Sequence, residues 1–402
     1  MAANRSTAAA LTALLAVALT GCATVLAGQP VKAAQETNAE GADLAVLETG
    51  NYPTAPRAPM GTAGNDKFGT ILEGHRMANN VVLPTDIDNA LTEPLSVNII
   101  TMQQNHGISV ELPDPGQAIV TAHRLLAGFA SARRDKDSTK NLINMVLRFP
   151  DPGAAADAAQ QLSSQIPPPY PKTPFGVPRY PTALSTTMDT TGIGAYQHAI
   201  EAFLPHGPYL LYAWAQTAQR PDDAAALIAN LFDRQVPKID AFSPTPADQL
   251  ASLPVDAVGF LNRVLPADKD APGSVNFGGF EPYASLHFQD DPMQALADFT
   301  DAGVDAVAQL RTVVYHARDA AGAKHLLEST VAAAGVKPGA QPTDGINGLP
   351  AAKCFEFTQP DLSQTPRFGC FATADRYQFE AWSQQGHDAR QQIAAQYLML
   401  TS

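Results

Sequence analysis

The chain carries three cysteines in 402 residues, Cys22, Cys354 and Cys370, and their thiols are its most reactive side chains. Cys354 and Cys370 lie in "KCFEFT" and "RFGCFA", two strand-like runs joined by the turn-forming "QPDLSQTPR". Antiparallel pairing about Leu362 sets the two cysteines opposite each other, close enough for a disulfide. Their spacing is neither Cys-x-x-Cys nor a metal-ligand pattern. The nine histidines are scattered. His316 and His325 stand nine residues apart, and His198 and His206 flank one strand, so no metal site is expected. Gly-x-Ser-x-Gly, Walker, His-Glu-x-x-His and Gly-x-Gly-x-x-Gly patterns do not occur, and "TGIGAYQ" reads as a turn. Asp114, Asp151, Asp291 and Asp319 each precede a helical pattern and read as N-caps, which removes them from any paired-carboxylate mechanism. No catalytic residue and no cofactor are assigned.

Aromatic side chains could bind where they cannot catalyse. Trp214 and Trp382, the two tryptophans, both stand in the frame Tyr-x-x-x-Ala-Trp-x-Gln. On a strand, Tyr377, Phe379 and Ala381 share a core face, and Trp382 joins Gln378 and Glu380 on a mixed one. In the first copy the residues beside Trp214 are Leu210 and Tyr212, so both faces read as buried. Two readings fit the tryptophans: a platform on which a ligand stacks, or an edge-of-core ring with its N–H bonded at a rim. Tyr212, Trp214 and Trp382 are the candidate ligand-facing aromatics. The run Pro167-Pro168-Pro169-Tyr170-Pro171 likewise fits either a docking surface or a stiff loop.

The elements that must position these residues come twice. The tryptophans are 168 residues apart, and at that offset five of fourteen residues match between 203–216 and 371–384. The same offset aligns "MVLRFPDPGAAADAAQQL" with "VVYHARDAAGAKHLLEST", each a strand-like run followed by a helical pattern. Each half then continues through a loop, further strands ("AIEAFL" and "YLLYAWAQ"; "KCFEFT", "RFGCFA" and "YQFEAWSQ") and a closing helix. This order predicts an α+β fold: two pseudo-repeated halves of mainly antiparallel sheet with packed helices. The first half spans 65–240 and the second 241–402. At the offset of 168, Thr186 and Ala202 stand where the second half has its cysteines, so only that half is bridged.

Residues 1–21 hold Arg5, a short apolar run and a small residue before Cys22, the pattern of a signal peptide rather than a membrane span. Leu19-Thr20-Gly21-Cys22 resembles the lipobox of bacterial lipoproteins, and the resemblance implies that Cys22 is lipidated and becomes the mature N-terminus. Residues 22–64 lack sustained periodicity and read as a flexible tether, with "LETGNYPTAPR" apolar enough to dock on the body. A formal net charge of −13 argues against nucleic acid and anionic headgroups as partners, which leaves the acyl chains as the link to the membrane.

Three stretches, "LETGNYPTAPR" (47–57), "LEGHRMANNVVLPTDID" (72–88) and the paired Ala-Trp strands, resemble those of uncharacterised actinobacterial lipoproteins of mycobacterial and nocardial kind, built on a domain of unknown function. The resemblance extends over nearly the whole mature chain and implies location, not chemistry. The halves are also similar in topology to extracytoplasmic sensor and lipid-associated lipoprotein domains of mycobacteria. The expectation is a lipid-anchored envelope protein on the extracytoplasmic face of the cell membrane, binding a small or lipidic ligand, or an envelope protein partner, between its two halves. Two alternatives stay open: an envelope hydrolase with a site assembled by distant residues, and a scaffold with a filled interface.

Overall fold

The computed structural model describes residues 41–101, 108, 111–166, 171–193, 195–268, 276–358 and 368–402. Cys22, the 1–21 segment, residues 22–40 of the 22–64 tether, Pro167–Tyr170 and the 359–367 turn-forming stretch lie outside the described residues.

The first half builds a sheet from β1 (Glu93–Ile100), β2 (Ala127–Arg134), β3 (Lys140–Arg148), β4 (Lys172–Pro174), β5 (Leu184–Ile193), β6 (Tyr196–His206) and β7 (Tyr209–Thr217). Its spatial order is β1-β2-β3-β7-β6-β5-β4, antiparallel throughout. The second half uses β8 (Gly278–Phe280), β9 (Ala306–Gln309), β10 (Thr312–His316), β11 (Ala340–Pro342), β12 (Lys353–Phe357), β13 (Phe368–Ala374) and β14 (Tyr377–Ser383). From its far edge it reads β8-β9-β10-β14-β13-β12-β11, the same topology strand for strand. Register repeats as well: Val146 faces Leu211 as Val314 faces Phe379, both pairs displaced by 168 residues. Trp214 on β7 and Trp382 on β14 therefore hold equivalent places.

Helices cover both faces of each sheet. In the first half α4 (Pro152–Gln165) lies on one face and α5 (Pro221–Asp240) on the other; α8 (Ala320–Gly335) and α9 (Gly386–Thr401) do the same in the second. The alternation of β7 divides its side chains: Leu211, Ala213 and Ala215 pack with Ile228 and Phe232 of α5, while Leu210 and Tyr212 pack with Ala155 and Leu162 of α4. On β14, Phe379 and Ala381 pack toward Ile393 of α9. The face expected to be mixed is covered by α8, with Gln378 fully enclosed and Glu380 and Trp382 half-buried.

Caps account for several helix starts. Asp151 accepts from Ala154 N at 2.9 Å, Asp319 from Gly322 N at 2.8 Å, and Asp291, ahead of α7 (Pro292–Ala302), from Gln294 N at 3.0 Å. Asp114 departs from that pattern: α3 (Gly116–Ala122) begins a residue too late for it, with Pro115 at the cap position and no side-chain cap. Cys354 faces Cys370 in the β12–β13 register and is bonded to it, with α-carbons 4.1 Å apart. The corresponding first-half pair is Ser185 and Ala202, not Thr186 and Ala202. The offset is 168 for β13 but 169 for β12, a one-residue difference that counting from the tryptophans cannot reveal.

The halves interlock through α1 (Asp66–Ala78) and a set of buried polar groups. Glu73 is fully buried; its carboxylate meets Arg148 at 2.6 Å and Arg76 at 2.5 Å and accepts from Thr245 N at 2.8 Å. Arg133 of β2, also fully buried, donates to the carbonyls of Thr92, His287 and Gln289 at 2.6, 3.2 and 2.5 Å. Asn276 pairs with the open edge of β1, accepting from Ile99 N at 3.1 Å and donating to Val97 O at 3.0 Å. Residues 42–64, the end of the expected tether, lie along the second half. Ala42 joins its core, Tyr52 donates to Asp388 at 2.6 Å, and Arg57 donates to Leu261 O at 2.7 Å.

Candidate functional site

On the α4 side of the first sheet a cavity of about 480 Å³ opens beneath β7. Strand alternation selects its lining. Tyr212 and Trp214 point there because their β7 neighbours point to α5. Ile143 of β3 and Glu201 of β6 flank Trp214 in the ladder from either side. Met188 of β5 sits opposite Lys172 of β4 at the sheet edge. Leu112, Pro113 and Ile166 close the helical side, and Glu111 enters beside them. The result is an apolar chamber with a small charged cluster on its wall, the usual composition of a small-molecule site.

The charges are held in place. Lys172 Nζ lies 2.6 Å from Glu201 Oε2, and both side chains are largely buried. Burial nevertheless outweighs the ion pair, so the Glu201 carboxyl is held above the usual carboxylate range. Glu111 is raised for the same reason, although Ser96 Oγ at 2.8 Å and Asn98 Nδ2 at 3.4 Å both donate to its Oε1. Tyr212 is enclosed entirely; desolvation first, then the charges of Glu201 and Glu111, push its phenol well up and keep it neutral. A neutral hydroxyl, two carboxylates and one ammonium can orient a ligand by hydrogen bonds and charge.

The equivalent place in the second half is filled. Trp382 takes the position of Trp214, and Phe357 that of Met188; their ring centroids are 5.3 Å apart. Phe371 packs edge-on against the same indole at 5.6 Å, and Lys337 Nζ lies 5.4 Å from the ring centroid. Gly369 replaces Glu201, and a β-carbon there would meet the Trp382 ring at 2.8 Å. Ala340 replaces Lys172, and Glu380 replaces Tyr212. Trp382 thus packs within the core, while Tyr212 and Trp214 meet at a cavity. The second half's own cavity, about 390 Å³, lies elsewhere, between α8 and residues 349–353 with Tyr397 behind.

Between the halves, where a ligand was expected, the structure leaves a smaller space. A groove of about 230 Å³ runs between Leu72 and His75 of α1 and residues 253–258, the smallest of these three spaces. Histidines are dispersed: His206 pairs with Asp240 at 2.7 Å and His316 with Asp305 at 2.5 Å. Among the described residues no three His, Cys, Asp or Glu side chains gather as a metal site would need.

Sequence reasoning missed Glu111, Lys172, Glu201, Ile143 and Met188. One signal was available: Glu201 interrupts "AIEAFL" where the repeat has Gly369 in "RFGCFA", a charge inside an apolar strand of one copy alone. Lys172 and Glu111 reach the cavity through a three-residue edge strand and a loop, where no periodicity announces them.

Residues 60–255 match the model described as "Domain of unknown function (DUF7373) N-terminal", and residues 260–402 the corresponding C-terminal model. No curated protein matches the chain. Among solved structures, the extracellular domain of PknH from Mycobacterium tuberculosis is similar to part of it, with a TM-score of 0.31 and 10% identity over 40% of this chain and 94% of that one.

Proposed function

Starting from the fact that this chain belongs to the DUF7373 family, whose domain has no assigned function, we propose that it is an envelope lipoprotein whose first half binds a small, largely apolar ligand. The observation that carries this reading is the contrast between equivalent places. The fold allows the space under the tryptophan strand to be filled, as Phe357 and Phe371 fill it against Trp382. The first half instead leaves about 480 Å³ there and installs an ion pair beside it. Burying a charged pair beside an unfilled chamber costs stability, and a ligand that fills the chamber would offset that cost. The second half then supports the first.

Location follows from two further features. The Cys354–Cys370 bond suits an oxidising, extracytoplasmic compartment. The lipobox-like Leu19–Cys22 after an apolar run supports export and acylation of Cys22, with the membrane reached through its acyl chains. Cys22→Ala should shift the protein to the aqueous fraction on detergent phase partitioning; continued membrane partitioning of the variant would refute the anchor.

Mass spectrometry of small molecules co-purifying with the mature protein tests the binding reading. Met188→Phe, which copies Phe357 into the first half, should abolish the retained ligand while the protein stays folded. An unchanged set of co-purifying molecules in the filled variant would exclude this cavity.

A further inference from the structure

The charges around the cavity do not balance, and the imbalance has a chemical meaning. Lys172 is committed to Glu201 at 2.6 Å. Glu111 has no cationic partner: its hydrogen bonds, from Ser96 and Asn98, end on Oε1, which leaves Oε2 as a spare acceptor among the described residues. Among the described residues the cavity wall thus carries two carboxylates and one ammonium. The Trp214 indole lines the same chamber with Glu111 and Glu201. A desolvated carboxylate and an indole face both attract a cation, the first by charge-assisted hydrogen bonding and the second through the ring quadrupole. Apart from the Tyr212 hydroxyl, the remaining wall among the described residues is apolar, built from Leu112, Pro113, Ile143, Ile166 and Met188.

Resting on the binding reading above, we infer that the ligand is an amphiphilic amine, with an alkyl or ring body in the apolar chamber and an ammonium group between Glu111 and Trp214. An anionic amphiphile such as a free fatty acid would place its carboxylate beside two others, with the lysine already paired. A neutral lipid would leave the Glu111 charge without compensation.

Three probes of equal chain length separate these cases: dodecylamine, dodecanol and dodecanoate, each below its micelle concentration. Binding is read by quenching of Trp214 in a Trp382→Phe background and by calorimetry on the full mature chain. The amine should bind at least tenfold more tightly than the alcohol, and the carboxylate most weakly. Glu111→Gln, which keeps shape and removes charge, should cost the amine most of that advantage and leave the alcohol unchanged. Met188→Phe should abolish binding of all three. If the amine and alcohol bind equally, or the carboxylate binds best, the amine inference falls while the cavity reading stands. If no probe binds the unsubstituted cavity, the cavity reading itself falls. Amine binding that survives Met188→Phe would mark adsorption to the acidic surface and overturn the inference.

Discussion

Single buried side chains set how this protein answers to charge and to pH. Lys172 and Glu201 compensate each other where water is scarce, so removing one strands the other. Glu201→Gln should lower unfolding stability by about 3 kcal/mol in urea titrations, as loss of one partner of a buried pair does elsewhere. Glu201→Gly with Lys172→Ala, the residues of the second half, should recover much of it. His287 is enclosed between the halves, with Nε2 3.2 Å from Ala78 O; burial, then the nearby Arg133, lower its pKa to about 3. The fold thus favours its neutral form. That stability is present above the unfolded value near 6.5 and is lost as pH falls toward 3, on the order of 4 kcal/mol in all. Glu380 runs the opposite way: burial raises its carboxyl to about 7, so stability present below about 4.5 is lost as pH rises through 7. Stability measured against pH should therefore show a shallower acid limb in His287→Asn and a smaller loss between pH 4.5 and 7 in Glu380→Gln. Unchanged profiles would mean that these groups are solvated in the native state.

At the scale of elements, the β12–β13 hairpin is the place where covalent chemistry reinforces the sheet. The bond closes a separation of 16 residues, and chain entropy for such a loop corresponds to roughly 3 kcal/mol. Cys354→Ser with Cys370→Ser should lose up to that amount, less to the extent that the hairpin is already ordered in the unfolded chain. Thiol titration of the unfolded, unreduced mature protein should find neither cysteine free; two reactive thiols would rule out the bond. Its first-half counterpart, β5–β6, has Ser185 and Ala202 at the same register and holds without a covalent bridge. The same comparison of elements locates the cavity: β4, β5 and β6 carry Lys172, Met188 and Glu201 where β11, β12 and β13 carry Ala340, Phe357 and Gly369.

Over the whole molecule, duplication has not produced two independent bodies. Arg133 reaches from the first sheet to the carbonyls of 287–290, and Asn276 of the second half closes the edge of β1. Either half alone would expose these groups and the fully buried His287. Calorimetry should accordingly give one cooperative unfolding transition, with calorimetric and van't Hoff enthalpies equal. Residues 65–240 expressed alone should lack that transition. Arg133→Met, which leaves the carbonyls it satisfies without donors, should lower the transition temperature by several degrees. Two resolved transitions in the intact protein would show that the interlock is weak.

How much of this was legible beforehand depends on how far apart the interacting residues are in sequence. Periodicity and short-range turn chemistry determined the α+β class, the equivalence of the two tryptophan strands and the Cys354–Cys370 pairing, because strand alternation and hairpin register are local properties. Cap chemistry was equally local, and it misled only at Asp114, where the helix starts later than the Asp-Pro signal suggests. Tertiary structure alone decided which tryptophan faces open space. Trp214 and Trp382 share a sequence frame, and their difference comes from Met188 versus Phe357 and Glu201 versus Gly369 on neighbouring strands. It also decided how open volume is distributed, about 480 Å³ under β7 in the first half and about 230 Å³ along α1 between the halves. Volume left unfilled is a property of many side chains at once, and no single stretch of sequence carries it.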